Sequence, residues 1–293
     1  MMRLCFDATK FGGGLDGAIE LAASKKLPAI EYRFDSFKVP AKGGAEVKGK
    51  ERSYLEKMSK LAFDNNVEIA CLSLDYVHTP GDKNSLKMFV GMLSKLLEVA
   101  TILKCQRIAF HLAPGEDEKW KEKFEKEYEQ IAPLFDQQEI KPLLRIATPV
   151  ENRGISLKRW RGMEPQDWRD LISGCPGLSL SFSPGDCLWL GIDYLQILAG
   201  VTSAIEHIEA HDIEINRDLI KDSGIFGPLW WRYRQIGKGQ VDWSQFIEAL
   251  KLYDYQGAFS IHLDDEFIYQ DDEIALTNAL DDGIQKLGFL IRS

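Results

Sequence analysis

The side chains able to do chemistry in this chain are few, and several fall at the ends of strand-like runs. Asp186, Glu209, Asp212, Asp264 and Asp265 supply carboxylates there, and the histidines number only five. A carboxylate beside an imidazole is an acid–base pair suited to neutral pH. His111 closes one apolar run, where strand register decides between facing the open end and filling the core. Glu31, in Ala-Ile-Glu-Tyr-Arg, either accepts from a ligand hydroxyl or pairs with a basic neighbour such as Arg33. Trp230, Trp231, Arg232, Tyr233 and Arg234 sit in the long stretch from Ile213 to Val241. Read as a lid, its indoles stack on sugar C–H faces and its guanidinium groups hold a carboxylate or phosphate. Read structurally, it is a plug or a contact between subunits, since interfaces enrich Trp, Tyr and Arg. The five cysteines form no C-x-x-C pair and their number is odd, so neither a disulfide framework nor a structural zinc site is expected.

The elements that must position these groups follow from hydrophobic period. Strand-like runs occur at Leu4–Ala8, Ala29–Arg33, Glu68–Leu74, Arg107–Leu112, Leu143–Thr148, Leu178–Ser183, Ala204–Glu209 and Ala258–Leu263. Helical stripes lie between most of them, such as Leu55, Met58, Leu61 and Ala62, or Trp120, Phe124, Tyr128, Ile131 and Phe135. Asp16 and Asp242 are expected to cap helices, and Pro165 to open one. Eight alternating units over 293 residues predict a (β/α)8 TIM barrel of the α/β class, one domain over residues 1–293. An open doubly wound sheet is disfavoured because no G-x-G-x-x-G follows the first strand. In a barrel the chemistry belongs at the C-terminal strand ends.

Charge and hydropathy narrow the partners. The net charge of -9 argues against nucleic acid, because a phosphate-backbone binder would need a basic patch that is not visible here. No apolar run reaches the roughly 18 residues of a membrane span, and the N-terminus lacks a signal-peptide pattern, so a cytoplasmic protein is expected. A homo-oligomer is left open.

A series of motifs adds a resemblance. Ser183-Pro184-Gly185-Asp186 is followed by Leu-Trp-Leu-Gly-Ile-Asp, then by His207-Ile208-Glu209-Ala210-His211-Asp212. Trp-Trp-Arg-Tyr-Arg, Gly-Lys-Gly-Gln-Val-Asp-Trp and Tyr-Gln-Gly-Ala-Phe-Ser-Ile come next. Together these resemble the xylose isomerase-like TIM barrels, the group of sugar phosphate isomerases and epimerases that includes AP endonuclease family 2. The resemblance implies one divalent cation held by a glutamate, an aspartate, a histidine and a glutamate at the ends of strands five to eight. The cation polarises a carbonyl or hydroxyl while the glutamates move a proton.

Aligned on those motifs, the four ligand positions carry Thr148, Ser183, Glu209 and His262. Neutral hydroxyls are poor ligands for a divalent cation, so no cofactor is expected. The alternative is a divalent metal at a relocated site built from Asp186, Glu209 and His262, with His211 or Glu151. The simpler reading is an ion pair of Glu209 with His262 filling the vacated place. Pro149 favours a surface loop for Glu151. The expectation is a sugar isomerase/epimerase homologue that recognises a small sugar or polyol. Glu209 or Asp186 would be the base and His262 or His211 the acid. Glu31, His111, His211, Trp230, Trp231, Arg232 and Arg234 are the candidate ligand-binding residues. The alternative is a non-catalytic homologue that binds a carbohydrate or a partner. An AP endonuclease ranks below both, because that chemistry needs a multi-metal cluster rich in histidine.

Overall fold

Four apolar runs in the first half of the chain pair as parallel strands: β2 (Ala29–Phe34), β3 (Glu68–His78), β4 (Arg107–Leu112) and β5 (Lys141–Arg145). They follow β1 (Arg3–Phe6), whose partner comes much later in the chain. The computed structural model describes residues 2–34, 47–115, 117–146, 161–227, 230–265, 267 and 272–292. All eight barrel strands belong to one parallel sheet, as a (β/α)8 barrel requires. Two compact units divide the chain, Asp7–Arg145 with Trp160–Leu180, and Met1–Phe6 with Ile146–Arg159 and Ser181–Ser293.

The first of these units holds β2 to β5 with the helices α1 (Gly14–Ser24), α2 (Gly49–Asp64), α3 (Lys83–Leu103), α4 (Trp120–Asp136) and α5 (Pro165–Gly174). Its strands are apolar on both faces because helices cover them outside and side chains fill them inside. Cys71, Ala109 and Leu143 from three neighbouring strands make one fully buried cluster. On α4 the five residues of the predicted stripe are all buried. Pro165 occupies the first turn of α5 as predicted. Asp16 lies in the first turn of α1, and Gly13, at φ 89°, takes the capping position expected for it.

A buried polar knot ties β3 to α3 and α4. His78 ends β3 with Nδ1 3.1 Å from Ser85 Oγ and Nε2 2.9 Å from Glu127 Oε2. Ser85 Oγ also accepts from Thr79 N at 2.8 Å, and Glu127 Oε1 from Gly81 N at 2.9 Å. Burial lowers the His78 pKa below the ordinary histidine value, against the pull of Glu127. The unfolded chain therefore binds a proton that the folded chain refuses, so stability is lost as pH falls below about 6.5 toward the lowered value. Urea midpoints of wild type and His78→Gln between pH 5 and 8 check this. The wild-type advantage should shrink toward acid, and a constant gap between the two curves would contradict it.

The other unit holds β1, the second half of β6 (Ser179–Phe182), β7 (Ile205–Ala210) and β10 (Ala258–Ile261), with β10 paired in parallel to both β1 and β7. Its helices are α6 (Pro184–Trp189), α7 (Tyr194–Val201), α8 (Arg217–Ser223), α9 (Trp243–Leu252) and α10 (Glu273–Arg292). Asp242 caps α9, its carboxylate accepting from Gln245 N at 3.0 Å. The stretch expected as a long loop is instead built around an antiparallel hairpin, β8 (Asp212–Ile215) with β9 (Trp231–Arg234), and α8 lies between the two strands. Among the described residues no helix is long and apolar enough to cross a membrane.

Candidate active site

The end of β6 turns directly into α6. Ser183 is the N-cap, accepting from Asp186 N at 3.3 Å, and Pro184 fills the first helical position, where its missing N–H costs nothing. Gly185 lets this turn press on the residue after β7: a Cβ built there would lie 2.3 Å from the carbonyl oxygen of His211. The Ser-Pro-Gly-Asp motif thus presents Asp186, fully buried, to the His211 ring.

Three strand ends then contribute to one buried cluster. Glu209 lies on β7, level with Ser260 of β10, and Ser181 Oγ of β6 donates to its Oε1 at 2.5 Å. His211 has Nδ1 at 3.2 Å from Ser183 Oγ and 3.4 Å from Asp186 Oδ2, and Nε2 at 2.9 Å from Asp264 Oδ2. His262 follows β10, with Nδ1 3.6 Å from the same Asp264 oxygen and its ring 4.3 Å from that of His211. Burial and the neighbouring His262 push the His211 pKa down. The bonds to Asp186 and Asp264 outweigh them and leave it raised above the ordinary value. Tyr233 stacks on His211 at 4.6 Å and donates its hydroxyl to Asp186 Oδ1 at 2.9 Å. Burial, with the charge of Asp186 adding to it, drives the Tyr233 pKa well up, so the phenol stays a donor. Trp189 Nε1 donates to the same oxygen at 3.1 Å.

Glu209, His211 and His262 each offer a ligand atom, all within 4.8 Å of one another. This trio shares Glu209 and His262 with the one expected from sequence, and His211 stands where Asp186 was expected. Asp186 backs the imidazole instead. Thr148 and Glu151 lie outside the described residues. Asp212 is a structural clamp: its carboxylate accepts from Ile213 N, Gly237 N, Val241 N and Trp243 Nε1 at 2.6–3.1 Å.

The aromatic-basic segment does not offer its indoles as a lid would. Trp230 and Trp231 are buried with Ile213 and Tyr233, and Trp231 lies flat on Trp189 at 4.8 Å with 6° between the planes. Trp230 Nε1 donates to Ile225 O at 2.7 Å. The opposite face of β9 is ionic. Arg232 Nη2 is 3.0 Å from Glu214, which Arg234 also binds, and Arg234 Nε is 3.2 Å from Asp265 Oδ2. Both arginines therefore hold protein carboxylates, Arg232 that of Glu214 and Arg234 those of Glu214 and Asp265. In the other unit, Glu31 is buried, accepts from Ser73 Oγ at 3.0 Å and lies 4.0 Å from Arg145 Nη2. His111 is half-buried at the end of β4.

Sequence reasoning missed the parts played by Ser181, Trp189 and Asp264. Asp264 had a readable signal, since it stands two residues beyond His262 just past a strand end.

Comparison with known proteins bears on this site. The model of the xylose isomerase-like TIM barrel family matches residues 19–280. A curated protein of Bacillus subtilis (strain 168), the uncharacterized protein YfiH, is 28% identical over 31% of this chain. The chain spans about a third of that relative's length, 32%. Among solved structures, a D-psicose 3-epimerase crystallised in the presence of D-fructose superposes with a TM-score of 0.73 at 12% identity, covering 100% of both chains. The IOLI protein with a bound zinc atom gives 0.73 at 14% identity, covering 99% of this chain and 98% of its own.

Proposed function

The chain belongs to the xylose isomerase-like TIM barrel family, and from that membership we propose that it binds a small sugar or polyol beside Glu209, His211 and His262 and moves a proton on it. The observation that carries this reading is the burial of a carboxylate and two imidazoles at neighbouring strand ends, their ligand atoms within 4.8 Å of one another. That donor set fits a divalent cation. His211 is held by carboxylates on both ring nitrogens, Asp186 on Nδ1 and Asp264 on Nε2, so it joins the set only by giving up one of these contacts to the cation while the other supports the ring. Bound there, a cation would supply polarisation of a carbonyl or hydroxyl oxygen. Glu209 removes the proton from the adjacent carbon, and Ser181 Oγ fixes one of its oxygens for that task. His262 returns a proton, imidazole being the side-chain type suited to proton transfer at neutral pH. Asp186, Asp264 and Tyr233 hold the His211 ring in place. The sugar epimerase and the zinc-bearing protein named above support the reading by similarity of fold.

Glu209→Gln keeps the size and one acceptor oxygen but cannot take a proton. Turnover in a panel of ketoses, aldoses and polyols is expected to fall by about 10²–10⁴-fold, and the zinc or manganese recovered with the purified protein should drop. Unchanged turnover would reject the assignment. Thermal stabilisation by a sugar without any conversion would favour a binding protein instead, the signal being about 2.7 kcal/mol at 100 times Kd.

A further inference from the structure

One hydroxyl beside the cluster is buried with nothing to bond to. On β10 successive side chains point to opposite faces of the sheet. Phe259 turns to α9, its ring 6.0 Å from that of Trp243 and 6.2 Å from that of Phe246. Ile261 turns to α10, where a Cβ on Gly283 would lie 3.3 Å from its Cγ2. Ser260, between them, therefore points the other way, as does His262 two residues on. The same alternation holds on β6, where Phe182 stacks on Phe246 at 6.2 Å and Ser181 bonds to Glu209 from the opposite face. β7 runs between β6 and β10, and Ser260 stands level with Glu209. Glu209 is thus flanked by a serine on each neighbouring strand.

The two serines are not equivalent. Ser181 Oγ is spent on Glu209 Oε1. Ser260 Oγ is fully buried and, among the described residues, has no hydrogen-bond partner. A buried hydroxyl left unpaired costs its desolvation, and an alanine would fill the same place without that cost. The level neighbour on its other side is Cys5, whose thiol is a weak acceptor. A carboxylate has about four lone-pair positions, enough for Ser181, a second hydroxyl and a cation. Carboxylates that ligate a metal are themselves hydrogen-bonded as a rule. A serine hydroxyl changes partner by rotation about a single bond.

We propose that Ser260 is a positioning residue for a divalent cation at Glu209, His211 and His262. In the loaded protein its hydroxyl donates to the Glu209 carboxylate from the β10 side, opposite Ser181, and fixes the orientation in which Glu209 ligates. The inference rests on the metal reading of that cluster and deepens it by naming what holds the carboxylate. The opposing view is that Ser260 is only a small residue packed in a tight layer.

The two differ in a metal titration. Wild type and Ser260→Ala, stripped of metal, are titrated with Co²⁺ and with Zn²⁺ against a competing chromophoric chelator, and urea midpoints of the metal-free proteins are measured in parallel. The affinity of Ser260→Ala is expected to be about 10- to 100-fold weaker, with an altered visible spectrum of the bound cobalt. Its metal-free midpoint should be no lower than that of wild type, since no hydrogen bond is lost there. Ser181→Ala is the reference: its hydroxyl is already bonded, so it should lower both the affinity and the metal-free midpoint. Equal affinities with superposable cobalt spectra overturn the proposal and leave the metal reading intact. A weaker affinity accompanied by a lower metal-free midpoint in Ser260→Ala also overturns it, because packing then accounts for both. Wild type that binds neither metal overturns the metal reading and the proposal together.

Discussion

Asp212→Ala should lower the unfolding free energy by about 3–5 kcal/mol. One carboxylate there serves four donors, the N–H groups of Ile213, Gly237 and Val241 and the indole of Trp243, at 2.9, 2.6, 3.1 and 3.0 Å. Truncation removes all four acceptor contacts from a fully buried place. Each donor left unsatisfied costs about 1–3 kcal/mol, softened by local relaxation. Asp212→Asn is the informative companion. It keeps one oxygen but turns an amide N–H₂ toward donors, so its loss should fall between wild type and alanine. Urea denaturation with a shared m-value measures both, and a loss below about 1 kcal/mol for alanine would show that the clamp is dispensable.

The second large effect is expected from a single added methyl group. Gly185→Ala places a Cβ 2.3 Å from the carbonyl oxygen of His211 and 3.0 Å from its carbonyl carbon, both main-chain atoms that cannot swing aside. Either α6 backs away or the chain after β7 does, at about 1–3 kcal/mol for the forced repacking. Both movements separate His211 from Ser183 and Asp186, so the imidazole should also lose part of its raised pKa, visible in its NMR titration. Gly200→Ala is the control, since nothing lies within 4 Å of a Cβ at that position in α7. Exchanging a helical glycine for alanine there should stabilise by about 0.5–1 kcal/mol. Equal effects at the two positions would refute the contact argument.

The barrel strands were legible because burial on both faces leaves unbroken apolar runs, and Arg107–Leu112 coincides with its predicted bounds. The hairpin was harder. Trp231, Arg232, Tyr233 and Arg234 alternate in a way that fits a strand, but the stretch as a whole looked like a functional loop because it is long and aromatic. In the structure one face of that alternation is core and the other is ionic. The cluster was half legible. Residue type picked out Asp186, Glu209, His211 and His262, yet no spacing could tell which carboxylate faces the two imidazoles and which stands behind one of them. That depends on Ser183 capping a helix, and on a glycine close enough to His211 to let the cap approach.

The pairing of β1 with β10 has a kinetic side. Arg3 stands opposite Ala258 and Phe6 opposite Ile261, so the first strand made waits for one of the last before its edge is covered. Closing so long a loop is entropically slow, and contacts of that kind form late in folding. His211, His262 and Asp264 depend on the same late strand, so the constellation assembles only after most of the chain has found its place. Substitutions among them should therefore speed unfolding and leave the refolding rate nearly untouched.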